Sequence, residues 1–209
     1  MPTVAPMDRR GFTMVELLIA STLFVILMGV VAQLYFSMNG ASNVMTRKVA
    51  ARDEARKAIQ AISDEVRQAA AASVANVPGE TLTYKIAVDV DGNGSAVDAS
   101  GAIELSGAHT LTRDYDDANQ DGVRETQLIL VTAEGSVRVL ANALFPNEDR
   151  NTNGTLDADE DANGDGVLNR GLWFESAPGG VLVTVETRSG TKFGNSAAAR
   201  LSAFVAPRN

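Results

Sequence analysis

Two hydrophobic periods divide the chain. From 17 to 46 no charged residue occurs, and 17–32 (LLIASTLFVILMGVVA) is almost wholly apolar. Extended back to Phe12 and on to Phe36, this run exceeds the ~20 residues that span a ~30 Å hydrocarbon core as a helix. Beyond it Met45, Val49, Ala55, Ile59, Ile62, Val66 and Ala69 follow three- and four-residue steps, the pattern of an amphipathic helix, with Arg52 interrupting the stripe. Asp53 and Lys57, spaced i,i+4 with the acid first, are expected to pair on the exposed face. No proline occurs between Pro6 and Pro78, and Asn76-Val77-Pro78-Gly79 ends the helix. The expected helix runs from Phe12 to about Ala72, roughly 60 residues or about 90 Å if unbroken. Asn39-Gly40 is the place where a kink costs least.

From residue 78 the pattern changes to short β-branched or alternating segments between Gly, Asn and Asp turns. The expected strands are 81–88, 102–105, 110–113, 127–132, 136–140, 180–188 and 200–205. Leu172-Trp173-Phe174 with Phe145 is expected to form the aromatic part of the core, with Trp173 in a packing role. His109, beside a strand, is read as a surface or half-buried residue without chemistry. The expected class is α+β: a long N-terminal helix, membrane-spanning in its first half, packed on an antiparallel β-sheet head. The segments are 1–11 as leader, 12–38 as transmembrane helix, 39–77 as its amphipathic continuation, and 78–209 as a β-rich head.

Three readings compete for the apolar run: a buried core helix, a removed signal peptide, or a retained anchor. A core helix of this length is unusual in 209 residues. A secretory signal has a shorter apolar stretch and a small-residue cleavage site, and Ala32-Gln33-Leu34 before Tyr35-Phe36 makes a poor one. The retained anchor is the better reading. Asp8-Arg9-Arg10-Gly11 precedes the run, and the arginines hold that end in the cytoplasm by the positive-inside rule. Glu16 is anomalous, because a carboxylate at the edge of a spanning helix is costly unless it snorkels or meets a cation.

Charge sharpens the division. Residues 1–78 carry a net +2 and residues 79–209 a net −10, within the overall −8. So acidic a head disfavours nucleic acid as a direct partner. Cysteine is absent and His109 is the single histidine, which removes disulfides, thiolate nucleophiles and Cys-ligated zinc and leaves any Ser-His unit dependent on one residue. An enzyme is not expected.

Arg10-Gly11-Phe12-Thr13-Met14-Val15-Glu16-Leu17-Leu18 closely resembles the signal of type IV prepilins and type II secretion pseudopilins, with Met14 where leucine is more usual. The resemblance implies cleavage between Gly11 and Phe12 by a membrane-embedded prepilin peptidase, and N-methylation of Phe12. It also implies that Glu16 neutralises the terminal amine of a neighbouring subunit during assembly, which suits two opposite charges in a low dielectric. The partners implied are other pilins or pseudopilins, the peptidase, inner-membrane assembly machinery, and membrane lipid before assembly. The implied location is the inner membrane, single-pass with the head outside the cytoplasm, and then the filament. Segment order and head size over 40–209 resemble, on pattern alone, the PilW minor pilin and PulJ/GspJ pseudopilin group.

Four stretches place Asp or Asn at alternate positions before Gly. Asp149, Asn151, Asn153, Thr155 (through its carbonyl), Asp157 and Glu160 match every ligand position of the twelve-residue EF-type calcium loop, with Gly154 at the sharp turn. A second loop, Asp161, Asn163, Asp165, Val167 and Asn169, begins on the next residue and has Leu172 where the closing acid belongs. A third, Asp117, Asn119, Asp121, Val123 and Glu125, has Leu128 there. The fourth, Asp89, Asp91, Asn93 and Ser95, is the least complete, with only Asp98 as a further acid. The same residues make ordinary turns without any metal. Calcium is the expected cofactor because residues 148–170 hold seven acids against two arginines, which repel unless neutralised. No helices flank these loops. The expected function is therefore structural: a minor pilin or pseudopilin acting in filament initiation or at the tip, its head stabilised by calcium. The alternative is a calcium-dependent adhesive module on the same anchor. A membrane-tethered hydrolase lacks any recognisable nucleophile–base pair.

Overall fold

The computed structural model describes residues 13–161, 164, 166–190 and 197–207. Gly11 and Phe12 of the signal, and Asn163 and Asp165 of the second loop, lie outside them. One helix, α1 (Met14–Val66), opens the chain. The chain divides into two compact units, Met1–Met45 and Thr46–Asn209.

In the first unit α1 is long and apolar enough to cross a membrane, and none of that stretch is buried within the protein. Leu17, Phe24, Ile26, Leu27 and Phe36 all stand exposed. Two of its polar side chains turn on their own backbone: Ser21 and Thr22 donate hydroxyl protons to the carbonyls of Leu18 and Ile19. In a hydrocarbon medium that self-satisfaction removes an otherwise costly group. The helix passes through Asn39 and Gly40 without a break.

In the second unit the remainder of α1 buries Ala51, Ala55, Ala58, Ile62 and Val66, one three- or four-residue step after another. Alanine at the first three positions lets the helix backbone lie close on the sheet. Seven strands follow: β1 (Leu82–Tyr84), β2 (His109–Arg113), β3 (Leu128–Val131), β4 (Val137–Ala141), β5 (Leu172–Ala177), β6 (Gly180–Ser189) and β7 (Ala197–Val205). They form two antiparallel sheets, β1-β2-β3-β4 and β5-β6-β7. Alternate residues point into one core, where Ile62, Leu82, Tyr84, Leu111, Leu128, Phe174 and Val183 are fully buried. Each such Leu, Ile or Phe contributes about 1.5–3 kcal/mol of transfer free energy. The α+β class and the helix packed on antiparallel sheets are as the hydrophobic pattern predicts.

Several details depart from it. The helix stops at Val66, six residues before the expected end. Gln68 and Ala69 donate to the carbonyls of Glu65 and Val66, tightening the last turn, and Ala70 N–H then turns to Lys85 O at 2.8 Å. Ala75 and Thr83 exchange two backbone bonds, so the chain after the helix lies along β1. Alanine's helix preference, a few tenths of a kcal/mol per residue, yields to that pairing. Met45 and Val49 are exposed, and the buried face begins at Ala51. Lys57 pairs with Glu54 at 2.7 Å rather than with Asp53.

Among the strands, 102–105 is absent as an element. Leu105 and Ile103 make only isolated bridges to Ala87 and Val97. Conversely β5 was not anticipated, although Pro178-Gly179, with Gly179 at φ +79°, is a tight-turn signal joining it to β6. Leu172, Phe174 and Phe145 are buried, but Trp173 alternates to the other face of β5 and is half-buried, which corrects its assignment to the core. His109 is half-buried and stacks on Tyr84, ring centroids 5.5 Å apart.

Candidate functional site

At the start of α1, Thr13 and Glu16 form a reciprocal cap. The Thr13 N–H and hydroxyl both donate to Glu16 Oε2 at 2.9 Å, and Glu16 N–H donates to Thr13 Oγ1 at 3.3 Å. This is the capping box that Thr-x-x-Glu encodes, a local signal the sequence reading passed over in favour of the Glu16 charge alone. Both residues are exposed, at the head of an exposed apolar helix.

The four Asp/Asn/Gly loops share one hydrogen bond. In each, the first carboxylate accepts the N–H of the glycine five residues on: Gly94 to Asp89 at 2.8 Å, Gly122 to Asp117 at 3.0 Å, Gly154 to Asp149 at 3.2 Å and Gly166 to Asp161 at 3.0 Å. All four glycines have positive φ, between +69° and +84°, where a side chain would be strained. In three loops the third and fifth positions also accept from the backbone two residues ahead, as Asn153 does from Thr155 at 2.7 Å.

The first loop folds its predicted residues onto one another. Asp149 and Glu160 are only 5% and 4% exposed. Glu160 Oε1 accepts the N–H groups of Arg150 and Asn151 at 3.0 and 3.1 Å. Asp157 Oδ2 accepts the side-chain amides of Asn151 and Asn153 at 2.7 and 2.9 Å, and Asp149 Oδ2 meets Arg170 at 3.1 Å. Thr155 donates to Asn153 through both its N–H and its hydroxyl. In the third loop Asp121 Oδ2 accepts from the Gln127 and Asn119 amides, and the Gln127 bond above all holds its carboxyl below the usual range. Glu125 engages through its backbone, donating to Asp114 O and accepting from Arg113. In the second loop Asp161 accepts from Gly164 and Gly166, and Val167 O accepts from the Asn169 amide.

The fourth loop, least complete by spacing, gathers the tightest set of acids. Asp89, Asp91 and Glu104 bring one carboxylate oxygen each to within 4.8 Å of one another, the one such trio among the described residues. Glu104 Oε2 also accepts the N–H groups of Val90 and Asp91. The Gly94 N–H lowers the Asp89 pKa, so that carboxylate is ionised at neutral pH. Glu104 sits well outside the twelve-residue frame, brought over the loop by the Val97–Ile103 bridge. Asp98, the acid expected there, instead caps its own turn at Ser100 and Ala102.

Arg113 organises the ends of these loops. Its guanidinium is fully buried and donates to the carbonyls of Glu125, Phe145 and Arg170, with Glu80 at 3.8 Å. Gly171 makes that convergence possible: a Cβ there would sit 1.9 Å from Phe145 O and 2.3 Å from Arg113 Nη2. Beside it opens a cleft of about 790 Å³ lined by Glu80, Tyr115, Arg170, Trp173 and the first loop's Asp149 and Asn153. Arg170 lies 4.1 Å from the Trp173 ring centre. Desolvation raises the Glu80 pKa, and desolvation together with the hydrogen bond it donates to Glu80 pushes the Tyr115 hydroxyl up to about 12, although the residue as a whole is exposed.

Comparison with known proteins adds one match. The family model described as the prokaryotic N-terminal methylation motif fits residues 6–32, so the chain is similar at its N-terminus to type IV prepilins and pseudopilins. No curated protein and no solved structure matches the chain.

Proposed function

From a type IV prepilin-like chain as premise, we propose that this protein is a minor pilin or pseudopilin, a structural subunit of a type IV pilus or a type II secretion pseudopilus. Prepilin peptidase cleaves between Gly11 and Phe12, and Phe12 is methylated. The observation that carries the reading is the methylation motif over residues 6–32 running directly into an exposed apolar helix. Such a helix requires lipid or neighbouring helices to cover it, and a filament core supplies the latter. Glu16 exchanges its cap on Thr13 for the terminal amine of an adjacent subunit. The acidic head stands outside the cytoplasm, and calcium in the Asp/Asn/Gly loops offsets its charge. The Asp-to-glycine hydrogen bond repeated in the four loops and the Asp89, Asp91 and Glu104 trio support that assignment.

A second reading, a calcium-dependent adhesive head, is favoured by one feature: the cleft carrying Trp173 and Tyr115 is walled by the first loop. Filling that loop would set the shape of the cleft. The structural reading is tested by shearing filaments from producing cells and identifying their subunits by mass spectrometry. The chain is expected among them; its confinement to the membrane fraction while filaments assemble normally would overturn the reading.

A further inference from the structure

The cleft beside the first loop differs in charge from the head around it. Its lining holds three acids, Glu80, Glu125 and Asp149, and two arginines, Arg150 and Arg170. Asp149 pairs with Arg170 at 3.1 Å, and Glu80 stands 3.8 Å from the buried Arg113. With Arg113 included, three acids meet three cations, although residues 79–209 carry a net −10. A charged ligand of either sign therefore finds little uncompensated charge to pair with. No Leu, Ile, Val, Met or Phe lines the cleft among the described residues, so an acyl chain finds no apolar wall.

Its apolar surface is aromatic. Tyr115 and Trp173 both line the cleft, and each ring is held beside a guanidinium: Arg113 lies 5.7 Å from the Tyr115 centre and Arg170 4.1 Å from that of Trp173. The Tyr115 hydroxyl is tied to Glu80 as well. Rings fixed in this way lose little freedom when a ligand arrives. Asn147, Thr152 and Asn153 add amide and hydroxyl groups to the lining. Trp173 and Arg170 also line a second hollow of about 80 Å³, together with Glu175, Thr184 and Arg200.

Aromatic rings, planar polar groups and balanced charge suit a neutral polyhydroxylated ligand. The C–H face of a pyranose packs on an aromatic ring. Its hydroxyls both donate and accept, and amide, carboxylate and guanidinium groups each present two polar atoms side by side to such neighbours. At about 790 Å³ the cleft lies within the usual range of ligand sites. We infer that it is a saccharide site, taking a neutral oligosaccharide with one unit against Trp173. The inference rests on the adhesive reading above and names its ligand class. A chain of several units is the better fit, because Trp173 is shared between the two hollows.

Trp173 is the single tryptophan of the chain, so its fluorescence reports this cleft alone. The test titrates the full-length chain, in a detergent without a sugar headgroup, with cellohexaose, chitohexaose and maltohexaose, once in calcium and once in chelator. A saturable change in Trp173 emission with at least one of the three is expected. By calorimetry Trp173→Ala should abolish that binding, and Trp173→Phe, which keeps a flat ring, should recover part of it. Arg150→Ala, at an exposed position, should weaken it about threefold or more. Silence towards all three oligosaccharides, or full affinity in both Trp173→Ala and Arg150→Ala, would overturn the inference. A response to hexagalacturonate in place of the neutral sugars would contradict the neutral class. A response in calcium alone supports the adhesive reading as stated; an equal response in chelator keeps the saccharide site and removes its dependence on calcium. Melting of the same samples with and without calcium tests the calcium reading separately.

Discussion

Asp149 and Glu160 concentrate the electrostatic problem of the head: two nearly buried carboxylates in a stretch of seven acids and two arginines. Of the two, Arg170 reaches only Asp149, and Glu160 depends on the backbone N–H groups of Arg150, Asn151 and Asp157. Calcium bound only to the folded state would stabilise it by about 2.7 kcal/mol at a hundredfold excess over Kd. The melting temperature of the full-length chain is expected to rise with calcium and fall back with chelator, and Glu160→Ala or Asp149→Ala should remove much of that rise. Identical wild-type curves with and without calcium would mean that these runs are only turns. The turns were legible because Asp, Asn and Gly stand at fixed short spacings along the chain. Glu104 and Arg113 were not, since each reaches its partners from a distant part of the sequence and nothing in local spacing marks the meeting. Gly171 was equally silent: its need to be glycine comes from Phe145 and Arg113, not from its neighbours in the chain.

At the scale of elements, the N-terminal helix carries two demands on one residue. Glu16 caps the helix through Thr13, and in assembly it is proposed to pair with a neighbour's amine. Glu16→Ala removes both roles, whereas Glu16→Gln retains an acceptor for the cap and loses the charge. Both variants are expected to insert and be cleaved, yet to enter filaments poorly. Normal incorporation of the glutamine variant would show that capping is sufficient and sink the pairing role. The helix was readable because its apolar run and its later stripe are contiguous. Its end was not, because alanines at 69–72 favour helix locally and the pairing that draws residues 69–75 alongside β1 is tertiary. The same cause explains Trp173: three adjacent apolar residues suggest a core segment, and only the pleat of β5 sends the middle one outward.

Across the whole molecule, an N-terminal part of net +2 precedes a remainder of net −10, a division that suits different surroundings. An exposed apolar helix suits lipid and then other helices, while a charged head suits water. In the proposed function the two roles meet at one event, removal of the leader, which would expose the amine that a neighbour's Glu16 pairs with. The most direct measurement is the mass of the N-terminal peptide of the chain recovered from cells that contain prepilin peptidase. The account predicts a mature protein that begins at an N-methylated Phe12. A chain that keeps residues 1–11, or one that begins beyond Asn39 after loss of the entire apolar run, would contradict it.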